Sequence, residues 1–95
     1  MTYRYKIELA TELEESLRAY IATGRPTGGF LRACLSNDLS GACARADEAN
    51  LIQIPVIVAF LVNKAPASCW GSPQRVDDWL TTKQQEFRQK LKGAT

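Results

Sequence analysis

The sequence predicts an all-α fold: one domain over residues 1–95, built as a compact orthogonal bundle of four to five helices. Two observations predict it. Apolar residues recur at helical spacing in several segments, each bounded by capping residues or by glycine and proline. Composition agrees, because 45% hydrophobic and 23% charged residues are typical of a globular protein of 95 residues with one modest core.

Residues 3–9 are the one segment with a strand-like pattern. Apolar side chains at positions 3, 5, 7 and 9 alternate with charged ones, which predicts a short, half-buried N-terminal strand. A lone strand has no partner within the chain, so it would pair with its copy in a homodimer or lie as an extended arm on the helices. A helical start is the alternative.

The first helix has the clearest boundaries. The sequence from Thr11 to Glu14 fits a capping box, in which the threonine hydroxyl and the glutamate carboxylate bind backbone N–H groups. Gly24 is predicted to end the helix, and Pro26 prevents its continuation. The face expected to be buried consists of Leu13, Leu17, Tyr20 and Ile21.

Two short helices are predicted next. Thr27 can cap the first, and Asn37 or Asp38 the second, because short polar side chains accept from the free backbone N–H groups of a first turn. The apolar residues of these two helices are Phe30, Leu31, Cys34, Leu35, Leu39, Ala42, Cys43 and Ala46.

The strongly apolar segment 51–63 is predicted to be the central, buried helix, capped by Asp47 or Asn50. Pro55 lies about one turn inside this segment. Since proline breaks an established helix, we expect either a kink or a short helix followed by a new start.

The last helix follows a loop over residues 65–71. Ser72 is predicted to cap it, with Pro73 at the first helical position, where proline is preferred. Its apolar stripe consists of Val76, Trp79, Leu80, Phe87 and Leu91.

Composition argues against several classes of function. Histidine is absent, and the three cysteines lack metal-site spacing, so we expect no enzyme activity, no metal and no cofactor. The net charge of +2 is too small to predict direct nucleic-acid binding. No secretion signal follows Met1, and no apolar run is long enough to span a bilayer, so we expect a cytoplasmic protein without membrane contact.

Candidate binding residues are concentrated between positions 24 and 50. Arg25 and Arg32 flank two glycines, and this pattern favours an anion that approaches backbone N–H groups and is clamped by both guanidinium groups. A tight turn between helices is the structural alternative. The full candidate set for a ligand or partner is Arg25, Thr27, Gly28, Gly29, Arg32, Asn37, Asp38, Arg45, Asp47, Asn50, Trp70 and Ser72.

Most of these residues also have a structural interpretation. Asn37 and Asp38 can contact the polar edges of a ligand, or they can act as helix caps. Arg45 can bind a ligand or pair with an acidic neighbour inside the protein. Trp70 can stack on a base or fill a partner's pocket, or it can fold into the core.

The segment from Gly24 to Trp79 resembles a family of small proteins of unassigned function that are encoded by bacteriophages, prophages and other mobile elements. The resemblance rests on the blocks PTGGFLRA, LSNDL, RAD and CWGSP, and the outer segments take no part in it. It carries over no catalytic residue. It implies a small accessory factor made in an infected or lysogenic bacterium, and such factors often counter host immunity.

Two mechanisms of binding are therefore expected. In the first, a non-enzymatic protein counters a host defence by sequestering a small anionic, nucleotide-like ligand. In the second, the protein docks on a host defence protein and blocks it, as anti-CRISPR proteins do. A structural or regulatory phage protein, such as a helical dimer, is a further alternative, although no basic recognition helix is present.

Overall fold

The computed structural model describes residues 7–93, and it confirms the all-α bundle. No strand occurs within that range, although Glu8 has an isolated β-bridge. Positions 3–6 of the predicted strand lie outside the described residues. The helices are α1 (Thr11–Thr23), α2 (Gly29–Leu35), α3 (Leu39–Arg45), α4 (Glu48–Leu51), α5 (Ile54–Lys64) and α6 (Pro73–Gly93), with a 3-10 turn at Ala67–Cys69.

The core forms where α1, α2, α5 and the first half of α6 meet. Tyr20 lies at its centre with 1% of its surface exposed. Its hydroxyl donates to the Cys69 carbonyl, and its own carbonyl accepts from the indole N–H of Trp79. The other fully buried large side chains are Leu17, Leu35, Val56, Ile57, Phe60, Leu61 and Val76.

The start of α1 differs from the capping-box prediction. Ala10 is the N-cap, no side chain caps the helix, and Thr11 is already the first helical residue. Its hydroxyl therefore cannot serve as the predicted cap. The end of α1 agrees with the prediction, because Gly24 has a φ of 72° and its N–H donates to the Tyr20 carbonyl. A Cβ at Gly24 would also collide with the Lys83 side chain.

The predicted cap of α2 is wrong as well. Gly28 is the N-cap and provides no side chain, while the Thr27 hydroxyl donates to the Gly28 carbonyl at 3.2 Å. The aspartate caps are confirmed. The Asp38 carboxylate accepts from Gly41 N–H at 3.0 Å, and the Asp47 carboxylate accepts from Asn50 N–H at 2.8 Å.

The new start expected near Pro55 is confirmed, because α4 is a single turn and α5 begins at Ile54 with the proline in its first turn. The prediction of a fully buried helix is wrong on one side. Residues 56, 57, 60 and 61 are buried, whereas Val58 and Val62 are 39% and 64% exposed. The described residues cover α5 on its inner side only.

The last helix begins as predicted, since the Ser72 hydroxyl accepts from Arg75 N–H at 3.1 Å and Pro73 is the first helical residue. Only the first half of its apolar stripe is buried. Val76 is buried, but Phe87 and Leu91 are 60% and 56% exposed. The helix has 21 residues and is about 31 Å long.

Gln53 fixes the segment that leads into α1. Its side-chain oxygen accepts from Ala10 N–H at 2.9 Å, and its amide nitrogen donates to the Glu8 carbonyl at 3.0 Å. The side chain is buried, so both polar ends are satisfied by backbone groups 43 and 45 residues away in the sequence.

Candidate ligand-binding site

Two of the predicted arginines face the same open cleft, which we call the arginine cleft. Its volume is about 260 Å³, somewhat below the range of about 300–1,000 Å³ that drug-sized ligands occupy. It lies between α2, α3 and the start of α6. The lining residues are Gly29, Arg32, Ala33, Ser36, Asp38, Arg45 and Pro73.

Packing of α3 against α2 brings Arg45 to the cleft. The Arg45 side chain runs across Gly29, and a Cβ at that glycine would lie 3.3 Å from Arg45 Cδ. Arg45 also donates from Nη1 to the Gly41 carbonyl, one turn earlier, at 3.2 Å. The glycine predicted from the sequence as a ligand contact therefore also gives room for the arginine.

Arg32 is held from the opposite side by α6. Its Nη2 atom donates to Asp77 Oδ1 at 2.6 Å, and the two side chains are 43% and 60% exposed. The pair is therefore solvent-screened and contributes little to stability. A guanidinium group has five N–H donors, and the described bonds of Arg32 and Arg45 use one donor each.

Asp38 is the acidic group in the cleft. Its carboxylate accepts from Gly41 N–H and from the Ser40 hydroxyl, so it is held as part of the α3 cap. The lining therefore has two guanidinium groups and one carboxylate, and the Asp77 carboxylate beside Arg32 offsets part of their charge. This arrangement can bind a phosphate or carboxylate through the arginines while the aspartate accepts from a sugar hydroxyl or an amine.

Arg25 lies elsewhere. It lines a different depression of about 360 Å³ together with Thr27 and Gly28, and two glutamates, Glu12 and Glu15, line it too. The structure therefore does not bring Arg25 and Arg32 to one cleft, as the predicted clamp of one anion requires. Two carboxylates beside a single guanidinium also make this depression unfavourable for an anion.

Asp47, Asn50, Trp70 and Ser72 have structural roles. Asp47 and Ser72 cap helices, and the Asn50 backbone N–H and carbonyl form hydrogen bonds within the turn that begins at Asp47. Trp70 is half-buried and packs against the core, which favours the core interpretation over stacking on a ligand. Asn37 is exposed in a left-handed turn with a φ of 60°, next to the depression between α3 and α5.

Two of the three cysteines are poorly placed to act as nucleophiles. Cys34 and Cys69 are buried, whereas Cys43 is exposed. Burial raises the pKa of the Cys34 thiol to about 11 and also raises the pKa of Cys69. Both buried thiols are therefore protonated at neutral pH and are poor nucleophiles.

Three residues of the cleft were missed from the sequence: Ala33, Ser36 and Pro73. Ser36 lies four residues after Arg32, and helical spacing alone places both on one side of α2. Its position beside Arg32 could therefore have been predicted from the sequence. Pro73 reaches the cleft only because α6 packs beside α2. No short-range pattern in the sequence indicates that contact.

Comparisons with family models, curated proteins and solved structures found no match to this chain. Within residues 7–93 the side chains form no group of three or more cysteines and carboxylates suited to a metal ion. In the same part of the chain, no helix combines the length and the apolar character needed to cross a bilayer.

Proposed function

We propose that this protein is a non-enzymatic binder that holds a small anionic, nucleotide-like ligand in the arginine cleft. The observation that carries the proposal is the convergence of Arg32 and Arg45 from two helices on one open cleft. Both retain guanidinium N–H donors beyond those used in the described bonds, and paired guanidinium groups suit phosphate oxygens.

The cleft offers polar contacts besides the arginines. Ser36 supplies a hydroxyl, and Asp38 supplies carboxylate oxygens for a sugar or base edge. One bound nucleotide needs only two or three basic groups, which agrees with a net charge of only +2. In the phage context that the resemblance implies, binding without turnover would remove a host signalling nucleotide and so counter a defence.

The test is a set of thermal melts and native mass spectra with mono-, di- and cyclic nucleotides. A ligand at 100 times its Kd should stabilise the fold by about 2.7 kcal/mol. Arg45→Ala should abolish binding and leave the melting temperature nearly unchanged, because the side chain is exposed. Arg25→Ala is the matched control, since that arginine lines another depression and should keep full binding.

Two results would refute the proposal. One is the absence of a stability shift with every nucleotide in the panel. The other is an equal loss of binding in the Arg25 and Arg45 variants, which would indicate an effect of overall charge rather than of the cleft.

Docking on a host defence protein is the second candidate. It is favoured by the exposed apolar side chains on α3 and α5, where Leu39, Val58 and Val62 are 66%, 39% and 64% exposed. A host protein captured by the wild type and by Arg45→Ala, but lost with Val62→Asp, would support docking over nucleotide binding.

A further inference from the structure

We infer that two copies of this chain pair reciprocally, with the C-terminal part of α6 of each copy packed on the outward side of α5 of the other. We call the first element the tail (residues 84–93) and the second the outer face (Leu39 with Pro55, Val58, Ala59 and Val62). The pairing goes beyond the proposed function, because it uses neither arginine of the cleft.

The outer face is apolar and uncharged at its centre. Val58 and Val62 are one turn apart and exposed, and Val58 borders a shallow depression together with Leu39. Within α5 the only charged residue is Lys64, at the end of the helix. Asp38 borders the same depression as Val58. The surface is therefore apolar at its centre, with the Asp38 carboxylate at its edge.

The tail has the opposite charge. Phe87 and Leu91 are one turn apart and more than half exposed, and every side chain from Gln84 to Leu91 is exposed. Arg88 and Lys90 lie beside these apolar residues in the sequence. Glu86, the one acid in the tail, is paired with Lys83 at 3.3 Å. The tail is therefore a basic amphipathic helix.

Charge decides which surfaces meet. Two tails packed together would bring Arg88 and Lys90 of both copies into one interface, and two outer faces would bring the Asp38 carboxylates of both copies together. A tail on an outer face places basic groups beside Asp38 and covers exposed apolar side chains on both elements. The occupant that fits the outer face is therefore the tail of a second copy.

The tail cannot reach the outer face of its own chain. The helix α6 is continuous from Pro73 to Gly93, and its first half is packed against α1 and the 3-10 turn. Phe87 borders Ala22 and Thr23 at the end of α1, so the tail continues past that end. When the tail of each copy packs on the outer face of the other, both surfaces of both copies are covered. The result is a closed two-fold dimer that leaves no surface free to add a third copy.

The test is sedimentation velocity over a concentration series with three variants. The tail variant is Phe87→Ser with Leu91→Ser, and the face variant is Val62→Asp. All three positions are more than half exposed, so the fold should be retained, and circular dichroism checks this. Gln85→Ser with Gln89→Ser is the matched control, because both glutamines are exposed on the opposite side of the tail.

We expect the wild type and the control to form the same dimer, and each surface variant alone to raise the dimer Kd by at least about tenfold. A mixture of the two variants should form a 1:1 heterodimer, because the intact tail of one copy can use the intact face of the other. That heterodimer should be weaker than the wild-type dimer, since it has one contact instead of two.

Three results would overturn the inference. They are a wild type that stays monomeric up to about 1 mM, a tail variant that dimerises as well as the wild type, and a mixture without heterodimer. Thermal melts of the same variants with nucleotides distinguish dimerisation from the proposed function. The arginine cleft is intact in all of these variants, so a loss of dimerisation should leave nucleotide binding unchanged.

Discussion

The Tyr20 hydroxyl donates to the carbonyl oxygen of Cys69 at 2.7 Å, across 49 residues of sequence and inside the core. This bond joins α1 to the 3-10 turn that precedes α6. The Trp79 indole N–H donates to the Tyr20 carbonyl at 3.1 Å, so the same residue also contacts α6. Because α6 supplies Pro73 to the arginine cleft and Asp77 to Arg32, the position of one side of the cleft depends on Tyr20.

Replacing Tyr20 with phenylalanine should therefore destabilise the protein. The ring is kept, but the buried Cys69 carbonyl loses its partner, which costs about 1–3 kcal/mol. Urea unfolding measures the change. Thr23→Ala is the control, because that hydroxyl is exposed and bonds only within α1, and the loss there should stay within about 0.5 kcal/mol. Equal stability of Tyr20→Phe and the wild type would show that the bond contributes nothing.

Stability should fall at alkaline pH. Burial raises the pKa of Cys34 from 9.0 to about 11 and raises the pKa of Tyr20 far above 10.0. The unfolded chain releases these protons first, so this contribution is complete below about pH 9 and is lost as the pH rises further. Each group changes the free energy of unfolding by at most about 1.4 kcal/mol per pH unit.

Urea unfolding at a series of pH values checks this prediction. The decline should begin near pH 9 with Cys34 and Cys69 and steepen above pH 10, where Tyr20 is added. In Tyr20→Phe the steeper part should disappear. A stability that rises between pH 9 and pH 11, or an unchanged slope in the variant, would contradict the assignment.

The buried amide of Gln53 should determine how well the segment before α1 is held. Gln53→Met keeps a similar length but removes both bonds, to Ala10 N–H and to the Glu8 carbonyl. We expect a loss of about 1–3 kcal/mol and faster hydrogen exchange of the Ala10 amide. Gln74→Met is the control, because its side-chain bond is exposed on α6. An unchanged exchange rate at Ala10 would refute the role of Gln53.

Local signals in the sequence predicted most of the helix boundaries. Gly24, Asp38, Asp47 and Ser72 have the predicted capping roles, because each depends on contacts within one turn. The prediction of a capping box at Thr11 was wrong for an equally local reason. The helix starts one residue earlier than expected, with Ala10 as the N-cap, and one residue is enough to remove the threonine from the capping position.

Contacts between distant segments were not predictable in the same way. The sequence placed Arg25 and Arg32 at one site, but α1 contributes Glu12 and Glu15 to the depression of Arg25, and α6 contributes Asp77 to Arg32. The exposure of Val62 and Phe87 was missed because an apolar stripe indicates one face of a helix and not whether the rest of the chain covers it.

The most direct measurement is a two-dimensional amide NMR titration of the labelled protein with the nucleotide that gives the largest thermal stabilisation. If the arginine cleft is the binding site, the amide signals of Gly29, Ala33 and Ser36 should shift together and saturate, and the same titration of Arg45→Ala should leave them in place. Shifts confined to Thr27 and Gly28 in the depression of Arg25, or no saturable shift with any nucleotide, would contradict the account.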